Sequence, residues 1–190
     1  MTARPGLTRA AVIDAAAGQV DRKGTASLTL SSVAKELGVK SPSLYNHVGS
    51  LGDLRRELRL RGISELGKRL GEAAVGRSGA DAVGALARAY RAFVRERPGL
   101  YELTIEAATA TDDELRGASD SVLAVVLAAL RAYDLQGDEL IHAARFLRST
   151  LHGFVALESA GGFGLRVSVE ESFERMLGIL TAGLERGFTD

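Results

Sequence analysis

From Val12 to Leu184 the apolar residues recur at intervals of three and four, and nowhere do they alternate long enough to build a sheet. That period places them along one stripe of an α-helix, which confines the chain to helices packed on helices. The first stripe is Val12, Ile13, Ala16, Ala17 and Val20, opened by Thr8 as an N-cap and stopped by Gly24. A second, two-turn helix begins after Thr29, turns Val33, Ala34 and Leu37 inward and ends at Gly38. After a tight Gly38-Val39-Lys40 turn, Ser41 caps and Pro42 opens a third helix holding Ser43 to Val48. Proline at a first helical position loses no hydrogen bond. A long fourth helix from Leu51 carries Leu54, Leu58, Ile63, Leu66 and Leu70 inward. Further stripes follow: Val83 to Val94, a short helix from Pro98 through Ile105, Leu115 to Leu130, Leu140 to Val155 and Phe173 to Leu184. The expectation is an all-α chain of about nine helices. Only Leu165-Val167-Val169 alternates, too isolated for a sheet.

Composition narrows the functional classes. With 46% hydrophobic and 25% charged residues in a 190-residue chain, a packed core is expected rather than disorder. The absence of cysteine removes disulfides, thiolate zinc sites and cysteine nucleophiles. No run approaches the roughly 20 apolar residues of a bilayer span, and the start lacks the apolar core of a secretory signal, so a cytoplasmic protein without membrane contact is expected. No Pro- or Ser-rich linker interrupts the chain, so the boundary between two functional parts is placed inside the fourth helix, giving 1–55 and 56–190. Residues 1–61 hold ten basic side chains (Arg4, Arg9, Arg22, Lys23, Lys35, Lys40, Arg55, Arg56, Arg59, Arg61) against five acidic (Asp14, Asp21, Glu36, Asp53, Glu57), a balance of +5. The whole chain is neutral, so the remainder carries −5. A local basic patch of this kind suits a polyanion; a chance fluctuation is the bland alternative. Seven glycines fall inside helices (Gly62, Gly67, Gly71, Gly117, Gly153, Gly178, Gly183). Each costs about 1 kcal/mol relative to alanine. They mark close contacts or a cavity wall, or else a compositional bias that also gives 20 arginines against four lysines.

The second and third helices with their glycine turn form a helix-turn-helix, whose second helix lies in the DNA major groove. With Leu44 and Val48 facing in, Ser41, Ser43, Tyr45 and His47 are left for bases and phosphates. The run Leu28-Thr29-Leu30-Ser31-Ser32-Val33-Ala34-Lys35-Glu36-Leu37-Gly38-Val39-Lys40-Ser41-Pro42-Ser43-Leu44-Tyr45-Asn46-His47-Val48 strongly resembles the N-terminal domain of the tetracycline-repressor (TetR) family, and the resemblance covers about residues 8–60. It implies a homodimeric transcriptional regulator, usually a repressor, whose helical C-terminal part binds a small molecule and supplies the dimer interface. Leu151-His152-Gly153 is similar to a Trp-His-Gly signature of one subgroup, with Leu in the Trp position. Carried over by position, Thr29 and Ser31 are implied phosphate or base-edge contacts. Lys40, Ser41, Pro42 and Ser43 fall where such proteins meet bases and backbone, and Tyr45 and His47 where they grip phosphates. Many members have a lysine at the start of the fourth helix; Gly49, Leu51 and Gly52 stand here, which shifts that anchor to Arg55 or Arg56. The arm Arg4-Pro5-Gly6 reaches toward DNA or is simply disordered.

The remaining candidates are weaker. Glu139 and His142 have the spacing of one half of a di-iron motif, but the second half is missing and a solvated helix end is the simpler reading. No nucleophile elbow, phosphate loop or dinucleotide fingerprint occurs, so no enzyme and no cofactor is expected. Tyr90, Phe93, Tyr101, Phe146 and Phe163, with Phe154 and His152, are candidates to line a pocket for a small, mostly apolar effector, although ordinary core packing gives the same spacing. Phe154, Phe173, Met176, Leu177, Leu180 and Leu184, on the last two long helices at about 138–160 and 169–186, are candidates for an interface between two copies. The expected partners are a double-stranded palindromic operator, the effector and a second copy. Two other classes fit the fold: a helical ligand carrier or enzyme that does not read DNA, and a nucleoid-type protein that binds DNA with little sequence preference.

Overall fold

The structure is a computed structural model and describes residues 7–106 and 111–187. Among them there is no strand. There are eight α-helices: α1 Arg9–Lys23, α2 Leu30–Leu37, α3 Leu51–Ala74, α4 Gly79–Glu96, α5 Pro98–Leu103, α6 Asp113–Leu130, α7 Gly137–Ser159 and α8 Val169–Arg186. A six-residue 3-10 segment, Ser41–Asn46, stands where the third helix is expected. The all-α reading with about nine helices therefore holds. The alternating Leu165-Val167 stretch belongs to an exposed connection between α7 and α8. The short helix after Pro98 ends at Leu103 rather than Ile105.

The chain divides into two compact units. One takes in the residues up to Ser64 together with Glu96–Arg116; the other comprises Glu65–Arg95 and the residues from Gly117 onward. The first unit is therefore discontinuous, whereas the sequence places a simple boundary at residue 55.

In the first unit the local signals act as expected. The Thr8 hydroxyl accepts from the Ala11 N–H at 3.1 Å and starts α1. At its end Gly24 adopts φ 78°, and its N–H reaches Val20 O at 2.8 Å. Thr29 and Ser32 cap α2 reciprocally, each side chain accepting from the other's backbone N–H at 3.0 Å. Gly38 closes that helix in the left-handed region, a conformation that needs no Cβ. Val12, Ala16, Ala17 and Val20 of α1, Val33 and Ala34 of α2, and Leu44, Val48, Leu54 and Leu58 all pack into one core. Leu100 of α5 joins the same cluster and is fully buried.

α5 is fastened to α1 by one carboxylate. Asp21 Oδ1 accepts from the Gly99 and Leu100 N–H groups at 3.0 Å each, and Oδ2 accepts from Arg97 Nε at 2.7 Å. The first N–H groups of a helix have no partner within it, so an acceptor from α1 supplies what the helix lacks. Gly99 permits this approach, because a Cβ there would lie 2.2 Å from the Val20 carbonyl carbon.

The second unit is built from the end of α3, α4, most of α6, α7 and α8. Leu86, Phe93, Leu130, Val155, Phe173, Leu180 and Leu184 are among its buried side chains. α4 and α8 are joined by Arg88 and Glu174, with two N–O contacts of 2.8 and 2.5 Å. Arg91 is nearly buried; it pairs bidentately with Glu158 of α7 at 2.9 and 2.7 Å and with Glu170 of α8 at 2.7 Å. Its guanidinium also lies 4.4 Å from the centre of the Phe173 ring. A buried cation needs such compensation, and Arg91 finds it on two helices.

Candidate nucleic-acid interface

The helix-turn-helix is held from beneath by packing and by one buried amide. Gln19 of α1 is only 2% exposed; its Nε2 donates to Ser27 O at 2.8 Å and to Ser32 Oγ at 2.7 Å. Because Ser32 is itself half of the α2 cap, this amide fixes where α2 begins. The sequence reading missed Gln19; a polar residue flanked by Ala16, Ala17 and Val20 on an apolar stripe was the available signal.

The recognition segment forms 3-10 turns where an α-helix is expected. The bonds at its two ends span three residues, Ser43 N to Lys40 O at 2.9 Å and His47 N to Leu44 O at 2.8 Å, and Val48 N also reaches Leu44 O at 2.9 Å as the segment closes. Leu44 points into the core with no exposure, and Val48 is buried behind it. Lys40, Pro42, Tyr45 and Asn46 are exposed, while Ser41, Ser43 and His47 are half-buried. Tyr45 keeps 58% of its surface open, unusual for an aromatic residue in a packed unit. Of the anticipated residues Lys40, Pro42 and Tyr45 are thus fully outward and Ser41, Ser43 and His47 only partly so, while Asn46, which was not anticipated, is exposed.

Thr29 and Ser31 are both exposed at the start of α2. The Thr29 hydroxyl already accepts the Ser32 N–H, so its first role is to cap the helix. Arg55 is half-buried and donates to Thr25 O at 3.2 Å, bracing the end of α1. Arg56, the other proposed anchor, is engaged elsewhere. It makes a bidentate pair with Asp112 at 2.6 and 2.8 Å and meets Glu114 at 2.9 Å. The Asp112 carboxyl is held down to about 2, chiefly by its hydrogen bonds from Arg56, and the Arg56 guanidinium is pushed up in return by Asp112 and Glu114. Arg56 is a tie within the unit, not a free phosphate anchor.

The same accounting changes the meaning of the +5 balance. Arg9 pairs with Glu57, Arg22 with Glu36, and Arg61 with Asp14; Arg59 donates to Glu106 O. Lys23, Lys35 and Lys40 are exposed and stand outside these ion pairs. Arg4 lies outside the described residues, as does the rest of the proposed arm. Arg55 and Arg59 meet backbone carbonyls, which do not neutralise them, so the local positive charge outside these ion pairs rests on Lys23, Lys35, Lys40, Arg55 and Arg59.

Comparison with known proteins decides the family. Residues 12–58 match the model of bacterial regulatory proteins of the tetR family, and residues 83–180 match a tetracyclin repressor-like C-terminal domain. The uncharacterized HTH-type transcriptional regulator Rv0681 of Mycobacterium tuberculosis is 40% identical over 189 residues, covering 98% of this chain and 86% of the relative. The chain belongs to the TetR family. A second relative, the uncharacterized HTH-type transcriptional regulator YobS of Bacillus subtilis, is 34% identical over 185 residues, covering 97% of this chain and 96% of the relative. The TetR family protein ActR of Streptomyces coelicolor, solved in complex with (S)-DNPA, shares the fold with a TM-score of 0.64 at 20% identity, over 96% of this chain and 98% of that one. The protein is thus a DNA-binding TetR-family transcriptional regulator, of a kind that is not an enzyme. No described helix is long and apolar enough to cross a membrane.

The other anticipated site residues separate. Tyr101 is buried in the first unit, on α5, whereas Tyr90, Phe93, Phe146, His152 and Phe163 belong to the second. Phe93 is fully buried beneath the Arg69 guanidinium, 5.4 Å from its ring centre, and Tyr90 is buried beside it in sequence register on α4. Phe146 is exposed on α7, and His152 is half-buried. Phe163 rests on Phe154 with ring centres 5.0 Å apart, and Phe154 meets Phe173 edge-on at 5.2 Å.

Among the six proposed interface residues, Phe173, Leu177, Leu180 and Leu184 are buried within the protomer's own unit, because they form the inward stripe of α8. Phe154 and Met176 are half-buried. The apolar side chains that point outward from α7 and α8 are instead Phe146, Leu157 and Ile179, the last 73% exposed. Amphipathic periodicity identifies an inward stripe but does not say which apolar residue is left outside it. Glu139 and His142 are both exposed at the start of α7, as expected of a solvated helix end.

Proposed function

We propose that this TetR-family regulator represses transcription by binding a two-fold operator as a homodimer and is released by a small, mostly apolar effector. The observation that carries the reading is the outward set Lys40, Tyr45 and Asn46 above a buried Leu44, which leaves hydrogen-bonding groups on a short segment held rigidly by its own core. A symmetric pair of such segments reads two half-sites on successive turns, about 34–36 Å apart. Dimerisation is assigned to α7 and α8, whose outward side chains Phe146, Leu157 and Ile179 are large and apolar. An effector site is assigned to the second unit, around Tyr90, His152 and the half-buried Val122, Val126 and Leu127 of α6. The small-molecule complex of ActR supports that assignment. α3 and α6 each continue from one unit into the other, giving the effector a covalent path to the reading segment. The effector acts only if it binds the two states with different affinity.

Selection of bound duplexes from random DNA tests the reading. Inverted repeats with half-sites one helical turn apart, bound at two chains per duplex, are the expected result. Asymmetric or random sequences would overturn it. A thermal-shift screen of metabolites should then yield a compound that raises the melting temperature and lowers operator affinity.

A further inference from the structure

Between Lys40 and Arg55 the chain carries one formally charged side chain, Asp53. It stands at the entry to α3, three residues from the connector that leaves the reading segment. Ser50 Oγ accepts from the Asp53 N–H at 3.0 Å, so the first turn of α3 is capped without the carboxylate. The Asp53 side chain folds back over Gly49: a Cβ at that glycine would lie 2.6 Å from Asp53 Oδ2. Glycine leaves open the space that the carboxylate fills. Asp53 is exposed, and its carboxylate forms no hydrogen bond or ion pair among the described residues. If the reading segment docks on a duplex, an exposed acid directed back at its end faces backbone phosphates, and like charges repel.

Resting on the DNA-binding reading above, we infer that Asp53 is a specificity-determining residue that weakens attraction to backbone phosphates. Phosphate attraction is blind to sequence and supplies most non-specific affinity. A carboxylate at the rim lowers affinity for every duplex alike. Its relative effect on useful discrimination is favourable, because the hydrogen bonds of the reading segment form only on the right bases. The neutralisation of Arg9, Arg22, Arg56 and Arg61 by acids of the same unit works in the same direction. The unit is arranged to hold little sequence-blind charge.

A plain helix-capping role makes the opposite prediction. An acid in a first turn favours the helix dipole, so removing it for that reason alone lowers stability and leaves DNA affinity unchanged or reduced. The test is fluorescence anisotropy of the full-length protein on a labelled random-sequence duplex, at low and near-physiological salt, comparing wild type, Asp53→Asn and Asp53→Ser. Both replacements accept hydrogen bonds and suit a helix start. Asp138→Asn, an exposed acid in the first turn of α7, is the control. Both Asp53 variants should bind about two- to threefold more tightly per protomer at low salt, with the gain shrinking as salt rises. Asp138→Asn should match wild type. If wild type binds the duplex and both Asp53 variants bind equally or more weakly, the inference is wrong and the DNA-binding reading survives. If wild type binds no duplex at all, that reading falls and takes this inference with it. Thermal melts of each variant show whether any loss comes from unfolding.

Discussion

Replacing Gly99 with alanine should damage this protein far more than the addition of one methyl group suggests. The new Cβ would lie 2.2 Å from both Val20 C and Val20 O, and 2.7 Å from Asp21 N. Ordinary contact begins near 3.4 Å, so a gap of about 1 Å must open between backbone atoms that cannot rotate away. If α5 moves out by that amount, the 3.0 Å bonds from Gly99 and Leu100 to Asp21 stretch to about 4 Å and are lost. A hydrogen bond to a charged group contributes about 1.5–3 kcal/mol. Losing two of them amounts to about 3–6 kcal/mol, against less than about 1 kcal/mol gained by replacing a helical glycine, which leaves a net loss of at least about 2 kcal/mol. At roughly 2–4 °C per kcal/mol for a chain of this size, the melting temperature should fall by at least about 4 °C. Gly71→Ala is the matched control: it lies inside α3 with no atom within 4 Å of its would-be Cβ. It should stabilise by about 0.5–1 kcal/mol. Circular-dichroism melts of the two variants answer the question directly. A Gly99→Ala melt within about 2 °C of wild type would refute the claim that α5 is clamped against the α1 backbone.

Three further outcomes are expected. Lys40→Ala should reduce the salt slope of operator binding by about one per protomer, while Tyr45→Ala should weaken operator binding without shifting the melting temperature; gel-shift titrations across salt measure both. Glu158 is held below its usual carboxylate range, chiefly by the hydrogen bonds from Arg91. A depressed folded value stabilises above the unfolded value and is lost as pH falls through the folded one. Acid melts should therefore show stability declining below the ordinary glutamate range near 4.5, with the decline shallower in Glu158→Gln. Ile179→Asp should leave the melting curve of a dilute sample nearly unchanged, since the side chain is exposed, yet light scattering should show conversion of dimer to monomer; an intact dimer would move the interface away from α8.

Much of the fold was legible because its determinants are local. Thr8, Gly24, Thr29, Gly38 and Pro42 set helix ends through their own backbone chemistry, and the structure places each at such an end. The exposure of Tyr45 was legible for a related reason: once Leu44 and Val48 are assigned inward, a residue directly after Leu44 has few other directions. What escaped notice is long-range. Nothing near Pro98 announces that α5 packs on α1, because its partner Asp21 lies 78 residues away from Gly99 in sequence. The pairing of Arg56 with Asp112 was hidden in the same way, and a count of basic residues overstated the free charge as a result. The last helix shows what periodicity does and does not give: Phe173, Leu177, Leu180 and Leu184 recur at three and four and are buried, whereas Ile179 falls outside that period and is exposed, and a stripe alone does not say what an outside apolar residue meets.

The return of α5 to the first unit bears on how the reading head can be moved between proteins. A graft cut after Ser64 would carry the entire helix-turn-helix yet leave behind Leu100, whose fully buried side chain contributes about 1.5–3 kcal/mol. It would also strand Asp21 without the three donors from which its carboxylate accepts, the Arg97 cation among them. The transplantable module is two stretches of chain, the second being 96–116, and a chimera that supplies only the first begins with a hole in its floor.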